Sequence, residues 1–538
     1  MAEESSLTFT NPVIRGFNPD PTICVVPATD STPTTFFLST STFEFFPGCA
    51  IYTSTNLIDW TLIGHALNRR SQIDMRTVEP GAGSWASTLR YRPEEKRWYL
   101  ANGVFHRYRP TVDERIFPRG FYVWTDNIWD DNAWSDPVYF DNPGFDQDLF
   151  WDDDGKVYLS TTMRFAWRDP NSKQKDFGIH ISGIDISTGR TLTAPKVIRK
   201  SPHGIAEGSH IFKRGDWYYL LTAEGGTEAG HQEWVFRSKD GPLGPWESQG
   251  KPLWYNGPDE EVQRTGHVDV FEDGNGDWWS VLLGVRPGEK LFSSRLSGRS
   301  DWPIFNDGNN ITLKTIGRDL IKSASKPSLQ TWKADLSKDD LELGWYQKNT
   351  PIKQSYTLTE KPSVLRLYGN CYDLTSPEAP AMLLRKQTSY NQTFKAKMEF
   401  KPTVRGYEAG AVLWWSQHSY ASLGVKTSQN DDGKIRTKIS YKGAAGKTNE
   451  FKTLETDFGD SLQNVEFSIR AYPTKYELSL KAGGKESELY TVDASALTVM
   501  PPHGGCFAGT MFGIYSYGKN QPVLDPADFS EISTEELE

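Results

Sequence analysis

Residues 145–160 read FDQDLFWDDDGKVYLS, with five aspartates set among apolar and aromatic runs. A calcium loop of the EF-hand type needs oxygen ligands at fixed offsets about its glycine and a glutamate at the twelfth place. With Gly155 at the sixth place, the first is Phe150 and the twelfth Thr161, so both end ligands are missing. Asp152-Asp153-Asp154-Gly155 reads instead as a solvated turn between two paired strands, LFW before it and KVYLS after it. Asp146 and Asp148 precede the first apolar run and lie outside that turn.

The same strand, turn, aromatic strand pattern recurs in TICVVPATDSTPTTFFLSTS from 22, TLRYRPEEKRWYLANG from 88, HIFKRGDWYYLLTA from 210 and HVDVFEDGNGDWWSVLL from 267. The starts lie about sixty residues apart, a period that signals repeated blades. Further strands ending in a tryptophan or apolar clamp follow most copies, as in AIYTSTNLIDWTLIG and WVFRSKDGPLGPWESQG. Each unit thus supplies about four short strands, the content of one propeller blade. Glycine and proline, 46 and 32 residues, interrupt almost every window before a helical period can form. The expected fold is all-β, with a five-bladed β-propeller over 1–325.

A chain of 538 residues exceeds what one core fills, roughly 250 to 300 residues, so a second domain is expected over 326–538. It follows the polar run IKSASKPSLQ and shows alternating strands such as AGAVLWWSQ, KIRTKISYKG and YELSLKAGG. Turns at 430–433 and at Gly483-Gly484 join them, the patterning of a β-sandwich.

The formal net charge of -10 without a basic run argues against nucleic acid or an anionic membrane as partner. No apolar stretch is long enough to span a bilayer, and MAEESSLTFT lacks a secretory pattern. A cytoplasmic chain is expected if Met1 is the natural start, and a secreted one otherwise. Cys24, Cys49, Cys371 and Cys506 are too sparse for a disulfide framework or zinc site and read as isolated thiols. The 13% of aromatic residues suits stacking on sugar faces, and equally suits the cores of β-rich domains.

In a propeller the first strand of each blade lines the central channel, so polar residues near its start converge at one end. Those positions are Asp20 in NPDPTI, Trp85 in GSWASTLRY, Asp146 in GFDQDLF, Glu207 in AEGSHIF and His267 in RTGHVDV. Singly, each acid reads as a hydrogen-bonded strand cap. Three at repeat-equivalent positions suit glycosidic-bond hydrolysis, which needs one protonated carboxyl for the leaving oxygen and one carboxylate to activate water or attack. Crowded carboxylates cannot all ionise, and one is kept as a proton donor.

GFNPDPTI, STFEFFPG, GFDQDLFWDDDG, AEGSHIF with AEGGT at 223–227, and RTGHVDV resemble the β-xylosidases and α-L-arabinofuranosidases of glycoside hydrolase family 43, over some 300 residues. The resemblance implies an inverting propeller enzyme with Asp20 as general base, Glu207 as general acid and Asp146 tuning and orienting the donor. It implies apolar walls at Phe43 and Trp85, a supporting channel histidine at His267, and a sugar-contacting arginine at Arg299. No cofactor is required, although a structural cation such as calcium near His267 fits some relatives. Relatives usually read WAP where this chain has Trp85-Ala86-Ser87, so the backbone there is expected to differ. The second domain resembles the concanavalin-like β-sandwich of the xylosidase branch. In that branch a loop phenylalanine closes one side of the active site, and Phe507 in GGCFAGTMFG is the candidate.

Such closure leaves room for a chain end alone. The expected activity is therefore exo-hydrolysis of terminal β-D-xylose from xylo-oligosaccharides, with α-L-arabinofuranosidase side activity. Phe145 is a candidate for steering the choice of sugar. The alternatives are a dedicated α-L-arabinofuranosidase on arabinoxylan and a non-catalytic carbohydrate-binding propeller. The substrate is the expected partner, and a homo-oligomer is compatible with the sequence.

Overall fold

The computed structural model describes residues 8–106, 118–165, 177–285, 292–297, 302–316, 328–445, 450–458, 462–502 and 504–538. Two compact units divide the chain, one formed by Met1–Phe43, Pro47–Ile73 and Ala82–Lys326, the other by Glu44–Phe46, Asp74–Gly81 and Pro327–Glu538.

In the first unit the opening stretch folds as its composition dictates. Strand Phe145–Trp151 pairs with Val157–Arg164, ending at Trp151 opposite Val157. Between them the Gly155 N–H donates to the Asp152 carbonyl at 3.0 Å, with Gly155 at φ 81, a conformation that glycine adopts without strain. Asp153 and Asp154 face solvent and Asp152 is half-buried, so 152–155 is a turn.

Among the described residues five antiparallel sheets follow the repeats, each read outward from its first strand. Those first strands are Thr22–Val26, Thr88–Arg92, Phe145–Trp151, Ala206–Arg214 and Gln263–Glu272. They pack side by side in chain order, and the fifth closes on the first, which makes the unit a propeller. Strand Thr8–Thr10 pairs with Lys314–Ile316, joining the two ends of the unit.

Separate apolar clusters fill the gaps between neighbouring sheets. Ile23, Phe36, Leu38, Phe271 and Trp279 lie between the first and fifth, and Ile181, Ile211, Leu220 and Phe236 between the third and fourth. Each such buried side chain contributes about 1.5–3 kcal/mol, which holds these sheets against their neighbours. Many of the aromatic residues therefore serve as core.

The second unit is built on a nine-stranded and a six-stranded antiparallel sheet over one core that includes Phe394, Phe467, Leu478, Tyr441, Phe512 and Ile514. Its alternation is visible in Asn464–Ala471 and Lys475–Ala482, which bury every second side chain over most of their length. A boundary drawn at 325 along the chain misses two short segments that belong to this unit. Phe46 pairs with Gln347, and Asn349 Nδ2 donates to the carbonyls of Met75 and Val78 at 2.9 and 3.0 Å.

Cys24, Cys49 and Cys506 are buried and Cys371 half-buried, and none of the four is in a disulfide. Among the described residues no helix is long and apolar enough to cross a membrane.

Candidate active site

The site is set by register. Ile23, Leu89, Leu149, Ile211 and Val270 pair with Leu38, Leu100, Leu159, Leu220 and Ser280 on the second strands of their sheets. Three residues before them stand Asp20, Ala86, Asp146, Gly208 and His267. The pairing is bulged between Phe145 and Asp148, between Glu207 and His210, and across Gly266 to Asp269. The backbone is left-handed at Asp20, Asp146, Gly208 and His267, with φ 53, 54, 58 and 52. For a residue other than glycine that costs roughly 1–3 kcal/mol, a strain that persists only where the surroundings enforce it.

This register corrects the sequence reading. Glu207 and Trp85 are not equivalent to Asp20, Asp146 and His267; they stand one place earlier, level with Pro19, Phe145 and Gly266. The bulge is common to the third, fourth and fifth sheets and leaves their columns aligned; the acid beside the column in AEGSHIF draws the reading one place too early. Gly208 fills the column itself and was missed for want of a side chain. A Cβ there would lie 2.9 Å from the His267 ring, so glycine is what lets the histidine approach.

The acids are joined through these two residues. Gly208 N–H donates to Asp146 Oδ2 at 2.9 Å, which puts Glu207 one peptide from Asp146 and from His267. His267 Nδ1 lies 3.3 Å from Asp20 Oδ1, and Ser41 donates to Asp20 Oδ2 at 2.7 Å. Asp20, Asp146 and His267 thus come from three sheets into one cluster, and the Glu207 backbone adjoins it through Gly208.

Burial pushes the Asp146 carboxyl up to about 6, and the Asp20 charge adds to this, while His267 and the Gly208 N–H pull it back. Burial would lower His267, but its hydrogen bond to Asp20 and the charges of Asp20, Asp146 and Glu233 raise it to about 9. At neutral pH the site therefore holds an imidazolium among carboxyl groups.

An aromatic wall stands beside the acids. Trp85, half-buried, stacks on Phe105 at 4.0 Å between centroids and meets Phe145 edge-on at 5.4 Å and Phe43 at 6.5 Å. Phe43 and Phe145 are themselves nearly covered, so they buttress the tryptophan. Phe105, Phe17 and Phe177 complete the packing and were not singled out from the sequence. After Trp85 the backbone is fixed by Asn102 Nδ2, which donates to the Trp85 carbonyl at 2.7 Å, and by Ser87 Oγ, which donates to Ser39 Oγ at 3.3 Å.

Arg299 lies outside the described residues. Phe507 belongs to the second unit, half-buried over Gly505 in a loop that Trp415 Nε1 anchors by donating to the Ala508 carbonyl at 2.9 Å. Among the described residues no group of three or more His, Cys, Asp or Glu side chains could hold a metal ion.

Comparison with known proteins agrees with the all-β fold in two domains. The family model described as glycosyl hydrolases family 43 matches residues 9–301, and that described as the beta xylosidase C-terminal concanavalin A-like domain matches 333–535. A non-reducing end alpha-L-arabinofuranosidase of Bacteroides ovatus is 32% identical over 554 residues, spanning 97% of this chain and 94% of that protein. A beta-xylosidase of Bacillus subtilis is 28% identical, spanning 80% and 81%. The crystal structure of a xylan beta-1,4-xylosidase from Bacillus halodurans superposes with a TM-score of 0.84 at 26% identity, covering 98% of this chain and 100% of that one.

Proposed function

Because the chain belongs to glycosyl hydrolase family 43, and is therefore a glycoside hydrolase, we propose that it removes terminal β-D-xylose from xylo-oligosaccharides with inversion, and α-L-arabinofuranose as a second substrate. The observation that carries this reading is the cluster of Asp20, Asp146 and His267, with Glu207 next in the chain to the Gly208 that bonds Asp146, beside the Trp85 wall.

Asp20 is the general base. It activates a water opposite the leaving group while the His267 imidazolium and Ser41 hold its two oxygens. Glu207 is the general acid and protonates the glycosidic oxygen. Inversion requires the two carboxyls to stand roughly 6.5–9.5 Å apart, so that the water fits between them. Asp146, which accepts from the residue after Glu207, orients the donor and sets its field. Trp85 offers a flat apolar face to a pentose ring.

A second reading, a dedicated α-L-arabinofuranosidase, is favoured by the name of the Bacteroides ovatus relative. Rates on p-nitrophenyl β-D-xylopyranoside and p-nitrophenyl α-L-arabinofuranoside separate the two, and release of nitrophenol from neither would defeat both.

The pH profile tests Asp146. Its carboxyl titrates at about 6 in the folded chain against 3.8 ordinarily, so kcat/KM is expected to fall as pH drops through 6 and Asp146 loses its charge. The stability effect has the opposite sign. A carboxyl raised on folding binds its proton more tightly in the folded state, so its ionisation costs the fold roughly 3 kcal/mol above pH 6 and nothing below pH 4. Asp146→Asn is therefore expected to lower turnover yet raise the Tm at pH 7, with the gain vanishing near pH 4. An unchanged acid limb in that variant would remove Asp146 from the role.

A further inference from the structure

Beneath the acids lies a second layer of polar side chains that the reaction does not touch. Two residues past Asp20, Asp146, Gly208 and His267 stand Thr22, Asp148, His210 and Asp269, and the remaining sheet sends in Arg90. Arg90 Nη2 lies 2.7 Å from Asp148 Oδ1, and Nη1 lies 2.7 Å from Asp269 Oδ2. Nη1 also approaches Thr22 Oγ1 at 3.4 Å, and Nη2 approaches His210 Nδ1 at 3.1 Å. One guanidinium therefore meets a side chain from each of the other four sheets.

The acids extend the contact to the backbone. Asp148 Oδ2 accepts from Ile211 N–H at 2.9 Å and Asp269 Oδ2 from Ile23 N–H at 3.0 Å, each across to the adjoining sheet. Thr22 Oγ1 accepts from Leu89 N–H at 3.0 Å. The Asp148 and Asp269 side chains are almost completely covered, 0% and 3% exposed. Burial would raise Asp269, but the Arg90 charge holds it at about 2.

We propose that Arg90 is a positioning residue for the hydrolytic reaction, fixing Asp146 and His267 through Asp148 and Asp269. The proposal rests on the assignment of the acids above. Only two peptide units separate each reacting-layer residue from its partner below, and between them runs bulged backbone that begins at a strained left-handed residue. Pinning the lower end resists relaxation of the upper one. Displacement of a reacting group by about 1 Å can cost on the order of 100-fold in rate. A planar fork reaches two carboxylates at once, whereas a lysine supplies one charge at one point.

Arg90→Lys separates positioning from simple charge compensation. Well below its Tm, with circular dichroism unchanged, the variant is expected to lose about 10- to 100-fold in kcat with KM within about threefold. Asp269→Asn, which keeps an acceptor for Ile23 N–H, is expected to show the same split. A kcat within twofold of the parent in either folded variant, with only the Tm lowered, overturns the proposal. So does failure of both variants to fold, since Arg90 would then serve assembly. If the parent itself hydrolyses neither aryl glycoside, the assignment of the acids has failed and not the role of Arg90.

Discussion

Glu207→Gln is expected to lower kcat on xylobiose by about 1,000- to 10,000-fold, near the upper limit of what a positioned acid supplies. The same variant should lose no more than about tenfold on a dinitrophenyl β-xyloside, whose leaving group departs without a proton. This contrast follows from the role. An acid that only donates is dispensable where nothing needs its proton. Glutamine keeps the volume and half-buried position of Glu207, and the backbone contact of Gly208 with Asp146 does not involve the Glu207 side chain. Equal losses on both substrates would show that Glu207 does something other than protonate.

Asp20→Asn is expected to cost about 1,000-fold or more on both substrates, because water needs activation whatever group departs. Asparagine still accepts from Ser41, so the local fold persists. Removal of the carboxylate also removes the leading cause that raises His267 against burial. The imidazole pKa should therefore fall from about 9, and its ring proton signals would titrate at lower pH in the variant. Turnover near the parent's on either substrate would remove Asp20 from the base role.

The strand repeats were legible because each hairpin declares itself locally, by apolar runs around a charged or glycine turn such as 152–155. Asp20, Asp146 and His267 could be found by position for the same reason. The rest was hidden by side-chain chemistry. Glu207 and Trp85 suit a site but stand one place before the column, and Gly208, which fills it, contributes by what it lacks. The Arg90 cluster assembles Thr22, Arg90, Asp148, His210 and Asp269 across some 250 residues, and no local pattern records such a contact. Its trace was present in the two-residue spacing of Asp146 with Asp148 and of His267 with Asp269. Pairing of Phe46 with Gln347 is equally silent in sequence, since neither strand exceeds two residues.

The division of labour between Asp20 and Glu207 is tested most directly by proton NMR of the sugar released in the first turnovers from a β-D-xyloside, before mutarotation. Direct attack by an Asp20-activated water predicts α-xylose as the first anomer. β-Xylose appearing first would mean a covalent intermediate and would contradict the account.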